Sequence, residues 1–432
     1  QEIDAQGNVT RIEQKIDDEV SARHDFNYSD GYGNLTSIVR PKNHKDETLT
    51  FTYEYDDDVH THVARVVDSY GLSSSSLYYP EFGQLKQTTD INGQVTDYSI
   101  DDRGRIDTVT APYERLINRP TIKVRYQTDE TPAYAVVSHY NEDTETDIET
   151  VTFIDGLFRP IQVKKIGVFY DASNGVESTI PIISGRTYYD DFGRSDKQTY
   201  PFVLGGNDPL LNYSDDVDNT APPTRMVYDI LDRPLTVTLP DQSVTTTSYG
   251  VVEDNGVQAF RTRMIDAEGE KKDRITDVRQ HERARIDYLD STAITTRSTI
   301  NGIGELQLVA DVGGNVTTYT YDMLGRKLTY DHPDGGLTQF TYDPAGNLTH
   351  KLTAELLETY GDTSGAIKYT YEYERLRRID YPDNYQNQVF YDYGGPNAEH
   401  GRAGRIWRQM DASGGQEFFY GPSGEVVKNI RT

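Results

Sequence analysis

The sequence predicts an all-β chain: tandem hairpins forming a large, curved, spirally wound antiparallel β-sheet, either a hollow shell or a shell segment. Three observations carry this expectation. The 432 residues include 33 Tyr and 35 Gly, yet only 35% are hydrophobic. That mixture suits strands with one wet face and tight turns, not a Leu- and Ala-rich helical protein. A unit recurs at a short fixed period, which is the signature of a repeat architecture. Within each unit, β-branched and aromatic residues alternate with a period of two, as a pleated strand requires.

The clearest copies stand in tandem between Asn315 and Thr353. Tyr321-Asp322-Met323-Leu324-Gly325-Arg326 is followed 21 residues later by Tyr342-Asp343-Pro344-Ala345-Gly346-Asn347. Thr318-Tyr319-Thr320-Tyr321 reads as a strand, Asp322 starts a turn, Gly325 accepts a positive φ, and Lys327 to Tyr330 returns. Asp331-His332-Pro333-Asp334-Gly335-Gly336 is a second turn signal before the strand Leu337 to Tyr342. Tyr319 and Tyr321 should share one face, with Thr318 and Thr320 on the other.

Other copies follow the same rule. Tyr28 and Gly33 bound the first, and Leu49 to Asp56 repeats its incoming strand. Tyr78 to Leu85 and Tyr98 to Ile106 follow, the latter turning at Gly104. Asp155 and Gly156 open a copy in which Phe158 replaces the later Gly. Tyr189-Asp190-Asp191-Phe192-Gly193-Arg194 is complete, and Tyr228-Asp229-Ile230-Leu231-Asp232-Arg233 carries Asp232 where Gly is usual. Tyr391-Asp392 and Tyr420 to Gly424 continue the pattern to the end. The whole chain, 1–432, therefore reads as one repeat segment, with irregular insertions near 111–150 and 201–223. The second of these is rich in Pro, Gly and acids and reads as a loop. Glu268 to Tyr288 departs from the consensus and reads as cross-paired strand faces. Lys351 to Ala366 is the only expected helix, weakened by Gly361 and Gly365.

Charge and composition exclude several functions. A net charge of −27 opposes phosphate-directed binding of nucleic acid and anionic membranes. Cysteine is absent, so no disulfide, thiolate nucleophile or Cys-ligated metal can form. No apolar run is long enough for a membrane-spanning helix. The chain starts at Gln1 without Met or an apolar leader, which reads as a processed or excised piece. Sequons at Asn34, Asn315 and Asn347 each follow Gly and read as turn chemistry, with Asn in the left-handed region.

No catalytic, cofactor or metal site is expected. His60 and His62 would share one face of a strand near Asp56 to Asp58, but spacing anchors no third zinc ligand. No metalloprotease, nucleophile-elbow or phosphate-cradling motif occurs. An acid after each Tyr is a building rule, a turn starter satisfying backbone N–H groups.

Tyr-Asp-x-x-Gly-Arg/Asn at spacings of about 20 residues resembles the YD-repeat, or Rhs, family. Phe153 to Arg159 and Tyr321 to Leu348 are most similar to its toxin-complex and Rhs-effector members. The resemblance implies a spirally wound shell enclosing a toxic C-terminal domain, secreted or at the surface of a bacterium. It implies the remaining shell segments and the enclosed toxin domain as partners, with a delivery component or a target-cell glycan as further ones. The chain is shorter than the family's complete shells and lacks their self-cleaving core region. Two alternatives stay open: a carbohydrate-binding or adhesion module using exposed Tyr, and a glycosidase or lyase in the irregular regions.

Overall fold

The computed structural model describes all residues except 29–30, 172–175, 204–209, 215–220 and 383–384. It is 57% strand and 4% helix, so the sheet, not helix packing, carries the fold. Thirty-five strands among the described residues join antiparallel, almost all to their sequence neighbours. The exception is local: Val176–Tyr189 pairs with both Ser195–Gln198 and Phe202–Val203, and Ser195–Gln198 pairs onward with Thr224–Tyr228. A meander of this kind places successive turns on opposite edges of the strip. The turns led by Asp101, Asp155, Asp190, Asp229, Asp322 and Asp343 therefore lie along one edge, and the turn after Tyr330-Asp331 lies on the other.

Alternation is visible residue by residue. In Val316–Tyr321 the side chains of Thr317, Tyr319 and Tyr321 are half-buried, while Val316, Thr318 and Thr320 are exposed. Tyr319 packs against Tyr330 on the neighbouring strand, ring centroids 5.6 Å apart, and Thr320 faces Thr329 with hydroxyls 2.7 Å apart on the other face.

The core is correspondingly thin. Val136, Val151 and Phe153 form one buried cluster, covered by Leu210 and Tyr213 from the 201–223 segment. Ala259, Ile275 and Ala284 form another. Much of 201–223 lies outside the described residues. The accessible surface is 25793 Å², against about 16,700 Å² for a compact monomer of this mass. One sheet layer, exposed on both sides, accounts for the excess.

Residues 111–150 do not form an irregular insertion. Pro112–Leu116 is a one-turn helix with Pro at its first position, a second helix beside Ala354–Tyr360. Ile122–Gln127, Ala133–Asn141 and Thr146–Ile154 are then strands in continuous register. Two acids of this region are paired across the strands, while Glu142, Asp143 and Glu145 occupy an exposed turn. Asp147 binds Arg119 and Lys123, and Glu149 binds Arg125.

The strip bends until it meets itself. The turn before Ser21–Tyr28 touches the turn before Lys327–His332, where the Met323 amide donates to the Ile16 carbonyl at 3.1 Å. Twenty-three strands of the strip lie between those turns, Phe202–Val203 standing to one side. At ~4.8 Å per strand they give a girth of about 110 Å. The meeting is edge to edge, turn against turn, with no strand pairing across it among the described residues, so the sheet is a spiral and not a closed barrel.

Candidate functional site: the repeat turns and the seam

The Asp-led turns of the regular copies span five residues, and the one at Asp56 spans seven. In 322–326 the Asp322 amide donates to the Arg326 carbonyl and the Gly325 amide donates to the Asp322 carbonyl, at 3.0 and 3.1 Å. This is a tight turn closed by a left-handed fourth residue and a bulge, and Gly325 has φ 78°. Asp322 Oδ1 accepts from the Leu324 and Arg326 amides, both at 2.9 Å. Its Oδ2 accepts from Arg326 Nε at 2.5 Å. The Asp322 side chain is 3% exposed and that of Arg326 15%, so this pair is held away from water.

The arginine also reaches forward. Arg326 Nη1 donates to the Asp343 carbonyl at 2.7 Å, and its guanidinium lies 5.0 Å from the Tyr342 ring centroid. Tyr321 reaches backward, its hydroxyl donating to the Leu306 carbonyl at 2.9 Å. The clamp recurs. Asp101–Arg105, Asp155–Arg159, Asp190–Arg194 and Asp229–Arg233 make the same side-chain pair. The arginines lie 4.0 to 5.0 Å from Tyr126, Tyr189, Tyr228 and Tyr249. Tyr189, Tyr228, Tyr249 and Tyr371 donate to Pro160, Ser195, Pro234 and Leu348. Each acceptor is the first residue after a turn of the preceding unit on the same edge. Tyr420 does likewise to Ile406.

This stapling explains why Tyr, not Phe, fills the position, since only Tyr carries the hydroxyl. Sequence reasoning missed both the staple and the arginine stacking. The available signal was the excess of Tyr over Phe, 33 against 13.

Several expected motif residues have other places. The turn after Tyr98 starts at Asp101, directly preceded by Ile100, and Tyr98 instead offers its carbonyl to the Tyr79 hydroxyl. Gly156 is not the left-handed residue of its turn; Phe158 is, with φ 61°. Asp232 likewise takes φ 61°. Tyr391 and Asp392 lie inside the strand Val389–Tyr393, where Asp392 binds Arg408 and Arg377 and starts no turn. Gly33, Gly104, Gly193, Gly346 and Gly424 all have positive φ. The three sequon asparagines do not: the preceding Gly does, and Asn315 and Asn347 spend their side chains on Asp311 and Asp343. His60 and His62 do not share a strand. The strand ends at Tyr55, and Asp56 collects the amides of Val59, His60, Thr61 and His62. The two imidazoles stack on Tyr32 and Tyr78 respectively. No group of three metal-ligating side chains occurs among the described residues.

The arginines set the acidity of the turns. Arg105, Arg159 and Arg233 hold Asp101, Asp155 and Asp229 below the usual carboxylate value, helped by the turn amides. The Val59 amide and its neighbours do the same for Asp56.

At the seam, the Tyr-Asp edge of the last third of the chain meets the opposite edge of the first quarter. Asp343 Oδ2 accepts from the His44 amide at 3.0 Å, and Asn43 Nδ2 donates to the Tyr373 carbonyl at 2.9 Å. Glu47 accepts from the Tyr373 amide at 2.8 Å. Tyr70 lies at the centre: its hydroxyl donates to the Glu372 carbonyl, and the Arg375 guanidinium sits 3.5 Å from its ring centroid. Arg40 pairs with Glu374 at 2.8 Å, and Asn92 Nδ2 donates to the Ala403 carbonyl. Tyr113 and Glu425 close the series. Burial pushes the Tyr371 hydroxyl beside this seam up to about 12 and raises the Glu374 carboxyl.

No family model matches the sequence, and no curated protein matches it. Solved structures do match. The crystal structure of TcdB2-TccC3 superposes with a TM-score of 0.73 at 17% identity, covering 95% of this chain and 23% of that one. TcdB2-TccC3-Cdc42 gives 0.73 at 16%, covering 95% and 25%. The Photorhabdus luminescens Tc holotoxin pore gives 0.70 at 16%, covering 94% and 25%. At such identity the likeness establishes the fold, and the chain spans about a quarter of the length of those chains.

Proposed function

We propose that this chain is a wall segment of a YD-repeat shell, built to enclose a toxic polypeptide for secretion and delivery by a bacterium. Its partners are then further wall segments, the enclosed domain and a delivery component, and its role is structural, without catalysis. The observation that carries the reading is the seam. A single-layer strip that returns to itself after about 300 residues surrounds a space instead of filling it. The surface excess supports the same conclusion, as does the fold shared with TcdB2-TccC3 and the Tc holotoxin pore. The clamps have the character of wall masonry: each ties one unit to the next and leaves no converging reactive groups.

Cryo-electron microscopy of the purified chain tests the wall. A ring with a low-density centre is expected, and a filled particle would reject it. Enclosure is tested on the complete assembly. An enclosed domain should resist added protease until the wall is opened by acid, and cleavage at the same rate as in free solution would sink that part.

A further inference from the structure

The most exposed apolar side chains of the molecule stand along one edge of the strip. Among the described residues, nine large apolar side chains are at least 66% exposed. Seven of them tip turns on the edge that carries the Asp-led turns. Leu157 and Phe158, Phe192, and Ile230 and Leu231 tip three successive turns, 155–159, 190–194 and 229–233. Val278 and Ile303 tip the turns 277–281 and 301–305 further along. Between these two groups, the hairpin closed at Asn255 and Gly256 leans aside across the sheet, held by Asp254 to Arg283 and Arg297. The remaining two, Leu116 and Val312, lie singly on the opposite edge.

Folding does not require apolar residues at these tips. In a five-residue turn the side chains at the second and third positions bond nothing within the turn, so polar residues serve there equally well. On the opposite edge they do: Asp241, Glu268, Glu270 and Asp290 are exposed in its turns. A row of exposed apolar groups confined to one edge marks a contact surface. The same edge is a contact further along. From 322 onward it meets the turns of the first quarter, and apolar residues are buried there. Ile16 beside Met323 is 8% exposed, and Leu72 beside Gly404 is 4% exposed.

We propose that the free part of this rim, 155–305, docks on the same rim of a second copy of this chain. Area, spacing and charge select that partner. The seven side chains together expose on the order of 1,000 Å², against about 800 Å² per partner in a standard interface. Successive turns on one edge lie two strands apart, about 9.6 Å. The tips of one rim therefore fit between those of an identical rim related by a two-fold axis. With a net charge of −27, two copies repel each other over most of their surface. On this rim Arg159, Arg194 and Arg233 cancel Asp155, Asp190 and Asp229. The acidic opposite edge offers no such approach. The contact does not depend on the wall enclosing anything, so a filled particle in microscopy would leave it standing.

Sedimentation velocity of the full chain tests this, in salt of about 0.15 M so that charges beyond about 8 Å are screened. A monomer–dimer equilibrium is expected in the micromolar range. Phe192→Ser combined with Ile230→Ser should raise the concentration of half-dimerisation at least tenfold. Leu116→Ser combined with Val312→Ser, exposed on the opposite edge, should leave it unchanged. All four side chains face water, so both variants should keep the circular dichroism of the unaltered chain. The chain has no cysteine, so a single introduced one is a clean cross-linking site. Ile230 stands near the middle of the rim and so near the two-fold axis, and Ile230→Cys should cross-link to itself through a bis-maleimide. A monomer at all concentrations up to about 100 μM would overturn the proposal. Indifference to Phe192→Ser with Ile230→Ser would do the same. So would cross-linking of Ile230→Cys to Val312→Cys, or growth past the dimer, since both mark rim-to-opposite-edge stacking.

Discussion

The turns 322–326 and 229–233 carry the same five-residue backbone and the same Asp–Arg clamp, yet they end differently. In the first, Arg326 spends its remaining nitrogen on the Asp343 carbonyl, and the unit is closed. In the second, Arg233 stacks on Tyr249 but the next unit offers Gly250 and a longer hairpin. The clamp half is local, fixed by residues i and i+4. The closing half is supplied about 20 residues later by another unit. Breaking the second without the first leaves the clamp arginine stacked on its tyrosine with no carbonyl to close the unit.

Acid should produce the largest effect, because it acts on every clamp at once. The pKa values of Asp101, Asp155 and Asp229 are lowered by folding. The stability they contribute is therefore present above the ordinary value of 3.8 and is lost as pH falls through the depressed folded-state values. The melting temperature should hold between pH 7 and about 5 and then drop steadily below about 4. A flat profile to pH 3 would show that the clamps add nothing.

Single substitutions then separate the two turns. Asp322→Ala removes a buried partner of Arg326 and orphans two turn amides, and should cost about 3 kcal/mol in urea denaturation. Asp229→Ala should cost clearly less, since Arg233 is 44% exposed and water replaces the lost carboxylate. Equal losses would erase the distinction.

The glycines give a smaller contrast. Gly325 has φ 78°, and a Cβ there would meet Glu305 Oε1 at 3.3 Å, so Gly325→Ala should destabilise by about 1–2 kcal/mol. Gly250 sits in a strand without positive φ, and a Cβ there would make only an ordinary contact with Arg261 at 4.0 Å, so Gly250→Ala should shift stability by less than about 0.5 kcal/mol. A reversed order in thermal melts would contradict this difference between the two backbones.

The staple should be the smallest effect. Tyr321→Phe loses one hydrogen bond to Leu306, about 1 kcal/mol. Tyr249→Phe, whose bond to Pro234 is solvent-exposed, should lose less. No change for Tyr321→Phe would remove the reason for Tyr at that position.

What the sequence determined by itself is what depends on near neighbours. Alternation along Val316–Tyr321, the Asp-led turns and the left-handed Gly325 and Gly346 all follow from side chains within four residues of the groups they satisfy. Such contacts are legible because spacing alone brings the atoms together. Gln280 and Phe158 take the left-handed place without Gly, at φ 68° and 61°, because the rest of the turn fixes the backbone there. That substitution is invisible to a motif built on Gly. The strands at 122–154 were hidden for a related reason: their acids find Arg119, Lys123 and Arg125 only across the sheet. The tertiary structure alone decided which carbonyl each Tyr hydroxyl reaches and that Tyr70 meets the turn at Glu372, 302 residues away. No local pattern encodes that separation. It is set by the accumulated twist and bend of 23 intervening strands of the strip, to which each residue contributes a little and none enough to be read.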